Sequence, residues 1–255
     1  MPKIDILMEG SSVGTDQGII GFCAVILVEG EKRVLFDSAH VGRRTYLQAQ
    51  LQARGLAPRD IDLQVLSHAH WDHVQNVDLF DHAPLLVHRD ERRYAGRPHP
   101  NDWATPKWTG AVIEMLNIQE VGEGYEIMPG CRVIDLPGHS PGSIGLQVET
   151  EDGSCLVVGD AIHNGVVALR GRNPLVFWNA EQADASIRRC VQSGALIYPG
   201  HDRPFRIRDG ELSYGTAFSM TLSGVGPNVP GVSFIENPPP REQWVMPGIE
   251  EQRLD

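Results

Sequence analysis

The sequence predicts an α/β protein, and three observations carry that expectation. Short apolar runs of strand length recur along the chain, separated by turn residues and by stretches with helical spacing. Several of these runs stop abruptly at a His or an Asp, the usual way an α/β fold delivers polar groups to a site at the carboxyl ends of its strands. The pattern then returns with variation in the second half, with no fixed-period repeat and no linker between. One domain over residues 1–255, built of two similar halves, is the expectation.

The first half opens with strand-like runs at 4–8, 23–28 and 33–36, the last two joined by a tight turn at Gly30-Glu31. Residues 11–21, rich in Gly and Ser and short of large side chains, read as a mobile loop. The stretch from Thr45 to residue 54 places Tyr46, Leu47, Gln50 and Leu51 at helical spacing and ends at Gly55, with Pro58 beyond. Residues 61–66 form an apolar run that stops at Ser67-His68. A strand at 84–87 follows, then a loop at 97–108 with three prolines and two tryptophans. Further strands are expected at 132–136, 144–148, 155–158 and 195–198. Residues 180–192 are the clearest helix of the second half, with Ala183, Ile187 and Val191 on one stripe and Gly194 as its stop. From Gly224 to residue 255 the chain is loaded with Gly and Pro, including Pro238-Pro239-Pro240, and reads as a tail wrapping the surface.

With 41% hydrophobic and 22% charged residues the chain can bury a core, which argues against disorder. Lys and Arg number 22 against 33 Asp and Glu, a formal charge of −11 that repels a phosphate backbone, so nucleic acid is not the expected partner. No apolar run approaches the ~20 residues that span a bilayer, and Asp5 and Glu9 interrupt any signal-like start. The expectation is a soluble, unprocessed, cytoplasmic protein acting on a small molecule, with no membrane partner and with a homodimer left open. Cys23, Cys131, Cys155 and Cys190 are scattered, so neither a disulfide framework nor a thiolate metal site is expected.

Ten histidines are the unusual feature of the composition. His68-Ala69-His70-Trp71-Asp72-His73 packs three imidazoles and a carboxylate into one short segment, a donor set suited to Zn²⁺ and related cations and short enough to serve two ions. Three later strands end in the same chemistry: His139 after Pro137-Gly138, Asp160 after Gly159, and His201 after Pro199-Gly200. Each alone would pass for a capping or loop residue, but together they make a set of seven ligands.

With that set the sequence resembles the metallo-β-lactamase fold superfamily, whose HxHxDH, His, Asp, His pattern it matches in order over roughly residues 4–208. The resemblance implies a four-layer αββα sandwich with a dinuclear site on one edge. It implies His68, His70 and His139 on a first metal, Asp72, His73 and His201 on a second, and Asp160 bridging. The metals are expected to be two divalent ions, Zn²⁺ first, with Mn²⁺, Fe²⁺ and Co²⁺ as alternatives. Asp37, at the end of a strand, matches an aspartate that orients a ligand from behind, or it simply caps the turn. Such a site hydrolyses because two metals ~3.5–4 Å apart lower the pKa of a shared water toward ~7, and Asp72 stands where it can orient that hydroxide or carry a proton.

Within the superfamily the missing signal peptide argues against secreted β-lactamases. His70 and the absence of a flavodoxin-like region argue against flavodiiron oxidoreductases, and length and charge argue against nucleases. What remains is similar to the N-acyl homoserine lactone lactonases, which implies opening of a small cyclic ester. A glyoxalase-II-like thioesterase is the alternative, followed by a mononuclear iron persulfide dioxygenase. The lactonases typically carry Tyr three residues after the bridging Asp to contact the substrate carbonyl. Here that residue is His163, whose N–H can donate the same bond or which sits in a solvated loop. Trp103, Trp108, Phe177 and Trp178 read either as packing over an edge or as an apolar wall of the substrate pocket. Trp71 reads as buried support, and Arg170 and Arg172 as solvated cations.

Overall fold

The computed structural model describes residues 1–224, 226, 228–233 and 242–254. In the first half the strands are β1 (Lys3–Met8), β2 (Ser11–Thr15), β3 (Gly18–Phe22), β4 (Val25–Glu29), β5 (Arg33–Phe36), β6 (Leu63–Val65), β7 (Leu85–His88) and β8 (Ile118–Val121). The second half adds β9 (Glu126–Met128), β10 (Cys131–Asp135), β11 (Ile144–Thr150), β12 (Gly153–Gly159), β13 (Leu175–Val176), β14 (Leu196–Pro199), β15 (Phe205–Arg208), β16 (Glu211–Tyr214) and β17 (Trp244–Val245). The helices are α1 (Arg44–Ala53), α2 (Trp71–Val74), α3 (Arg89–Gly96), α4 (Thr109–Ile113), α5 (Gly165–Arg170) and α6 (Ala180–Gln192).

Two large sheets form, in the orders β1-β4-β5-β6-β7-β8 and β16-β15-β14-β12-β11-β10-β9. The period-2 alternation of their strands explains how they stack. In β5, Val34 and Phe36 face a core shared with Val133, Ile144, Leu146, Val148 and Val157 of the second sheet, while Leu35 points the other way. Leu35 joins Leu27 and, from α1, Leu47 and Leu51 in a layer outside the first sheet. Outside the second sheet, Ile134, Leu156 and Val158 pack against Val167 and Ala168 of α5 and Ile187 and Cys190 of α6. Helix, sheet, sheet, helix is therefore the order of layers, and the αββα expectation holds.

Most expected strands and both expected helices form within a residue or two of their sequence bounds. The α6 helix forms as expected because Asn179 caps it, its side chain accepting from the Gln182 amide at 2.9 Å. Residues 11–21 are a correction: they are not a loop but the hairpin β2–β3, paired from Ser11 opposite Phe22 to Thr15 opposite Gly18. Its turn is closed by Thr15, whose Oγ1 donates to the Gly18 carbonyl at 2.9 Å and accepts from the Gln17 amide at 3.1 Å. Residues 244–246 of the tail are not surface wrapping alone, because β17 pairs in parallel with β13 and Met246 is buried. Pro238-Pro239-Pro240 lies outside the described residues. All four cysteines are free and buried.

Candidate metal centre

The carboxyl ends of β5, β6, β10, β12 and β14 converge on one edge of the sandwich, and each delivers one of the groups singled out in the sequence. After β6 the chain passes through His68 to His70, whose backbone is extended, and starts α2 at Trp71, which carries Asp72 and His73. Gly138, at φ +130°, precedes His139 and lies so close to the Ala183 backbone that any Cβ would collide with it. Gly200 is constrained from the other side, since a Cβ there would run into the Asp160 carboxylate.

Two groups of three candidate ligands result, His68 with His70 and His139, and Asp72 with His73 and His201. Within each group the donor atoms lie no more than 4.8 Å apart. Each group takes two members from the first half of the chain and one from the second. Asp160 stands between them: Oδ1 is 3.4 Å from His73 Nε2, and Oδ2 is 3.2 Å from His201 Nε2 and 3.6 Å from His139 Nε2. His139 Nε2 and His70 Nδ1 are 3.0 Å apart, close to the ~3.3 Å edge of a coordination tetrahedron with bonds of about 2 Å.

The donors also meet the test of polar satisfaction. Nε2 of His68 and His73 and Oδ1 of Asp160 are buried with no hydrogen-bond partner, a costly state for a protein interior and the expected one for atoms that bind cations. In three of the rings the opposite nitrogen is anchored. His73 Nδ1 donates to Asp37 Oδ2 at 2.7 Å, His139 Nδ1 to the Leu175 carbonyl at 2.6 Å, and His201 Nδ1 to the Ser11 carbonyl at 3.2 Å. Each bond fixes the ring and leaves the Nε2 lone pair facing the site. Asp37 does both jobs considered for it, orienting His73 and also accepting from the Ser67 amide at 2.8 Å, with its own backbone held at φ +60°.

Burial pushes His70 and His139 down to about 3, so both are neutral and ready to ligate. Burial opposes charge on His201 as well, but the Asp160 and Asp72 carboxylates outweigh it and raise the ring to about 9. His73 is raised well above the ordinary histidine range against the same burial, by Cys23, Asp160, Asp72 and Asp37. Asp160 is held well below the usual carboxylate range, again against burial, by His201, His163 and His73. The centre thus attracts positive charge, whether as protons or as cations.

His163 is not in a solvated loop. It is buried, its ring stacks on His201 at 5.6 Å, and its Nε2 is 3.2 Å from Asp160 Oδ2, while neither ring nitrogen has a hydrogen-bond partner. Burial holds it neutral, at about 3. Phe177 is fully buried with its ring 4.5 Å from His70 and 5.5 Å from His139, an apolar wall against the first group. Trp103 covers Phe177 at 5.2 Å and is half exposed, and Trp178 lies 6.4 Å from Tyr94. Trp108 is half exposed, Trp71 is partly buried in the cluster of Ala104, Phe177 and Met246, and Arg170 and Arg172 are exposed.

Sequence reasoning does not find Glu91. This side chain on α3 is fully buried; Oε1 accepts from the Ala69 amide at 2.7 Å, and Oε2 accepts from Ser140 Oγ at 2.7 Å and the Gly142 amide at 3.0 Å. It ties the segment carrying His68 and His70 to the one carrying His139. In the sequence it stands among Arg89, Asp90, Arg92 and Arg93, where nothing separates it from solvated helix charges.

A family profile for the metallo-beta-lactamase superfamily matches residues 18–201. Metallo-beta-lactamase domain-containing protein 1 of Xenopus laevis is 32% identical over 215 residues, covering 83% of this chain and 84% of its own length. An N-acyl homoserine lactonase of Bacillus thuringiensis is 30% identical over 157 residues, so the match spans 60% of each chain. Among solved structures, a variant of AiiA from B. thuringiensis with N-decanoyl-L-homoserine bound at its active site is similar with a TM-score of 0.62 at 22% identity. That likeness covers 76% of this chain and 94% of the other, and it shows a shared fold.

Proposed function

The chain belongs to the metallo-beta-lactamase superfamily of metal-dependent hydrolases, and from that premise we propose that it opens a small lactone at a dinuclear centre. The observation that carries the reading is the pair of three-ligand groups with Asp160 between them. The partial likeness to a lactonase supports the choice of substrate class. His68, His70 and His139 would hold one cation, Asp72, His73 and His201 the other, and Asp160 would touch both. Zn²⁺ suits this set of imidazoles and carboxylates. Bound there, two divalent cations supply Lewis acidity toward a carbonyl and acidify water at neutral pH.

The remaining work belongs to the chain. Asp72 Oδ2 lies 3.4 Å from His201 Nε2, where its carboxylate can accept a proton from the attacking water and return it to the leaving alkoxide. His163, neutral and without a protein partner, donates an N–H to the carbonyl oxygen as negative charge gathers on it. Phe177 and the tryptophan above it keep one side of the reacting group dry. Strand β3 covers the other group so closely that a Cβ at Gly21 would meet the Asp72 carboxylate.

The test is a panel of lactones, thioesters, β-lactams and phosphodiesters offered to zinc-loaded protein, with metal content measured on the same sample. Lactone turnover with two zinc ions per chain is expected. Turnover confined to thioesters, or activity carried by a single tightly held iron, would overturn the reading.

A further inference from the structure

Beside His201 lies a cavity of about 320 Å³ lined by Ser11, Ser12, Asn164, Asp202, Arg203 and Phe218 as well as by His201 itself, so that a carboxylate, Asp202, shares the wall with Arg203. Arg33, Arg44, Arg54, Arg89, Arg92 and Arg189 are each paired with a carboxylate, whereas others, Arg43, Arg132 and Arg206 among them, are not. Arg203 makes no ion pair among the described residues. Its guanidinium lies 4.1 Å from the centre of the Tyr214 ring, and its Nη1 donates to the Thr216 carbonyl at 2.7 Å.

The neighbouring carboxylate is committed elsewhere. Asp202 Oδ2 accepts from Tyr214 Oη at 2.7 Å and from the Gly165 amide at 3.1 Å, and Oδ1 accepts from the Arg203 amide at 2.9 Å. The same tyrosine that stacks under the guanidinium is thereby locked, so Arg203 is held in place. Its Nε and Nη2 have no acceptor among the described residues. On the same wall, Ser11 Oγ is buried and has no hydrogen-bond partner, while the Ser11 carbonyl steadies His201.

A fixed guanidinium with one free edge matches a planar carboxylate. We propose that this cavity binds a carboxylate of the substrate, gripped by Nε and Nη2 of Arg203 with Ser11 Oγ as a further donor, so that the preferred substrate is an anionic lactone. The inference rests on the hydrolase reading only for the bond that is broken, not for the group that is bound.

The experiment compares γ-butyrolactone γ-carboxylate with its methyl ester, and separately measures the affinity of glutarate for the zinc-loaded protein by calorimetry. A charge-assisted bond of this kind corresponds to about 10- to 100-fold. Wild type should therefore favour the carboxylate over the ester by at least about tenfold in kcat/KM. Arg203→Met should bring that ratio to near one through KM and weaken glutarate by a similar factor, and Arg203→Lys should fall between. No preference in wild type, or a ratio that survives Arg203→Met, overturns the proposal. If neither lactone is turned over the lactone-opening reading has failed for these substrates, and glutarate then decides alone: equal affinity in wild type and Arg203→Met overturns the assignment, and a tenfold loss upholds it. Should Arg203→Met fail to fold, the wild-type ratio and the Arg203→Lys ratio decide between the same two outcomes.

Discussion

Replacing Glu91 with Gln keeps the shape of a buried side chain and changes only its charge and its acceptors. A Gln amide offers one oxygen, so whichever way it is turned, either the Ala69 or the Gly142 amide faces an NH₂ group in place of an acceptor. Ser140 is spared, since its hydroxyl already has Ser143 Oγ at 2.7 Å. One buried donor left unpaired costs about 1–3 kcal/mol. Against this stands the cost of burying the native charge. Burial pushes Glu91 up from 4.5 to about 7, even though Ser140, Ala69 and Gly142 all donate to it, and that rise corresponds to roughly 3 kcal/mol. In that window the folded state holds the proton more tightly than the unfolded chain, so wild-type stability falls as pH rises from about 4.5 to about 7 and is level beyond. The Gln variant lacks this dependence. In urea unfolding of chelator-stripped protein, Glu91→Gln is expected to be the less stable form by about 1–3 kcal/mol near pH 4.5. The two forms should come within about 1–2 kcal/mol of each other at pH 8, or cross over. A stability gap that is the same at both pH values would refute the reasoning, because Glu91 would then not titrate in the folded protein.

If His163 donates to the substrate carbonyl, His163→Ala should keep both metals and lose on the order of 10²-fold or more in kcat, and His163→Tyr should regain part of it; unchanged kcat at saturating substrate with metal content confirmed would remove the ring from the chemistry. Asp160→Ala should reduce occupancy of both sites, whereas His201→Ala should mainly empty the one shared with Asp72 and His73, as read by elemental analysis. Because His73 is raised well above its ordinary range and His201 to about 9, loading zinc at pH 7 should expel on the order of two protons, and affinity should fall as pH is lowered. Calorimetry in buffers of different ionisation enthalpy measures that release, and a value near zero would contradict the charge balance described for the centre.

The candidate ligands were legible because coordination chemistry constrains both residue type and spacing. His68 to His73 crowd onto one strand end, and His139, Asp160 and His201 each follow an apolar run and a glycine. The α6 helix was legible through its apolar stripe and its stop at Gly194. The β2–β3 hairpin was not, because its Gly and Ser residues and its mostly exposed positions carry no alternation for a core to enforce. Helix α3 escaped for the opposite reason: Arg89 to Arg93 are all charged, yet Glu91, Tyr94 and Ala95 are buried by contacts far along the chain. Glu91 and Arg203 share this property. What each does is set by partners such as Ser140 or Tyr214, which sequence order alone does not bring to mind.

Each three-ligand group takes two members from before residue 122 and one from beyond residue 125, so neither portion holds a complete set alone. The turn between, at residues 122–125, joins the last strand of one sheet to the first of the other in chain order. A chain cut there becomes two fragments whose association is coupled to the ions, because the reunited pair offers each ion more donors than either fragment and so draws the equilibrium toward it by mass action. Zinc would then act as the switch of a split protein: chelation would loosen the fragments, and replenishment would bring them back together.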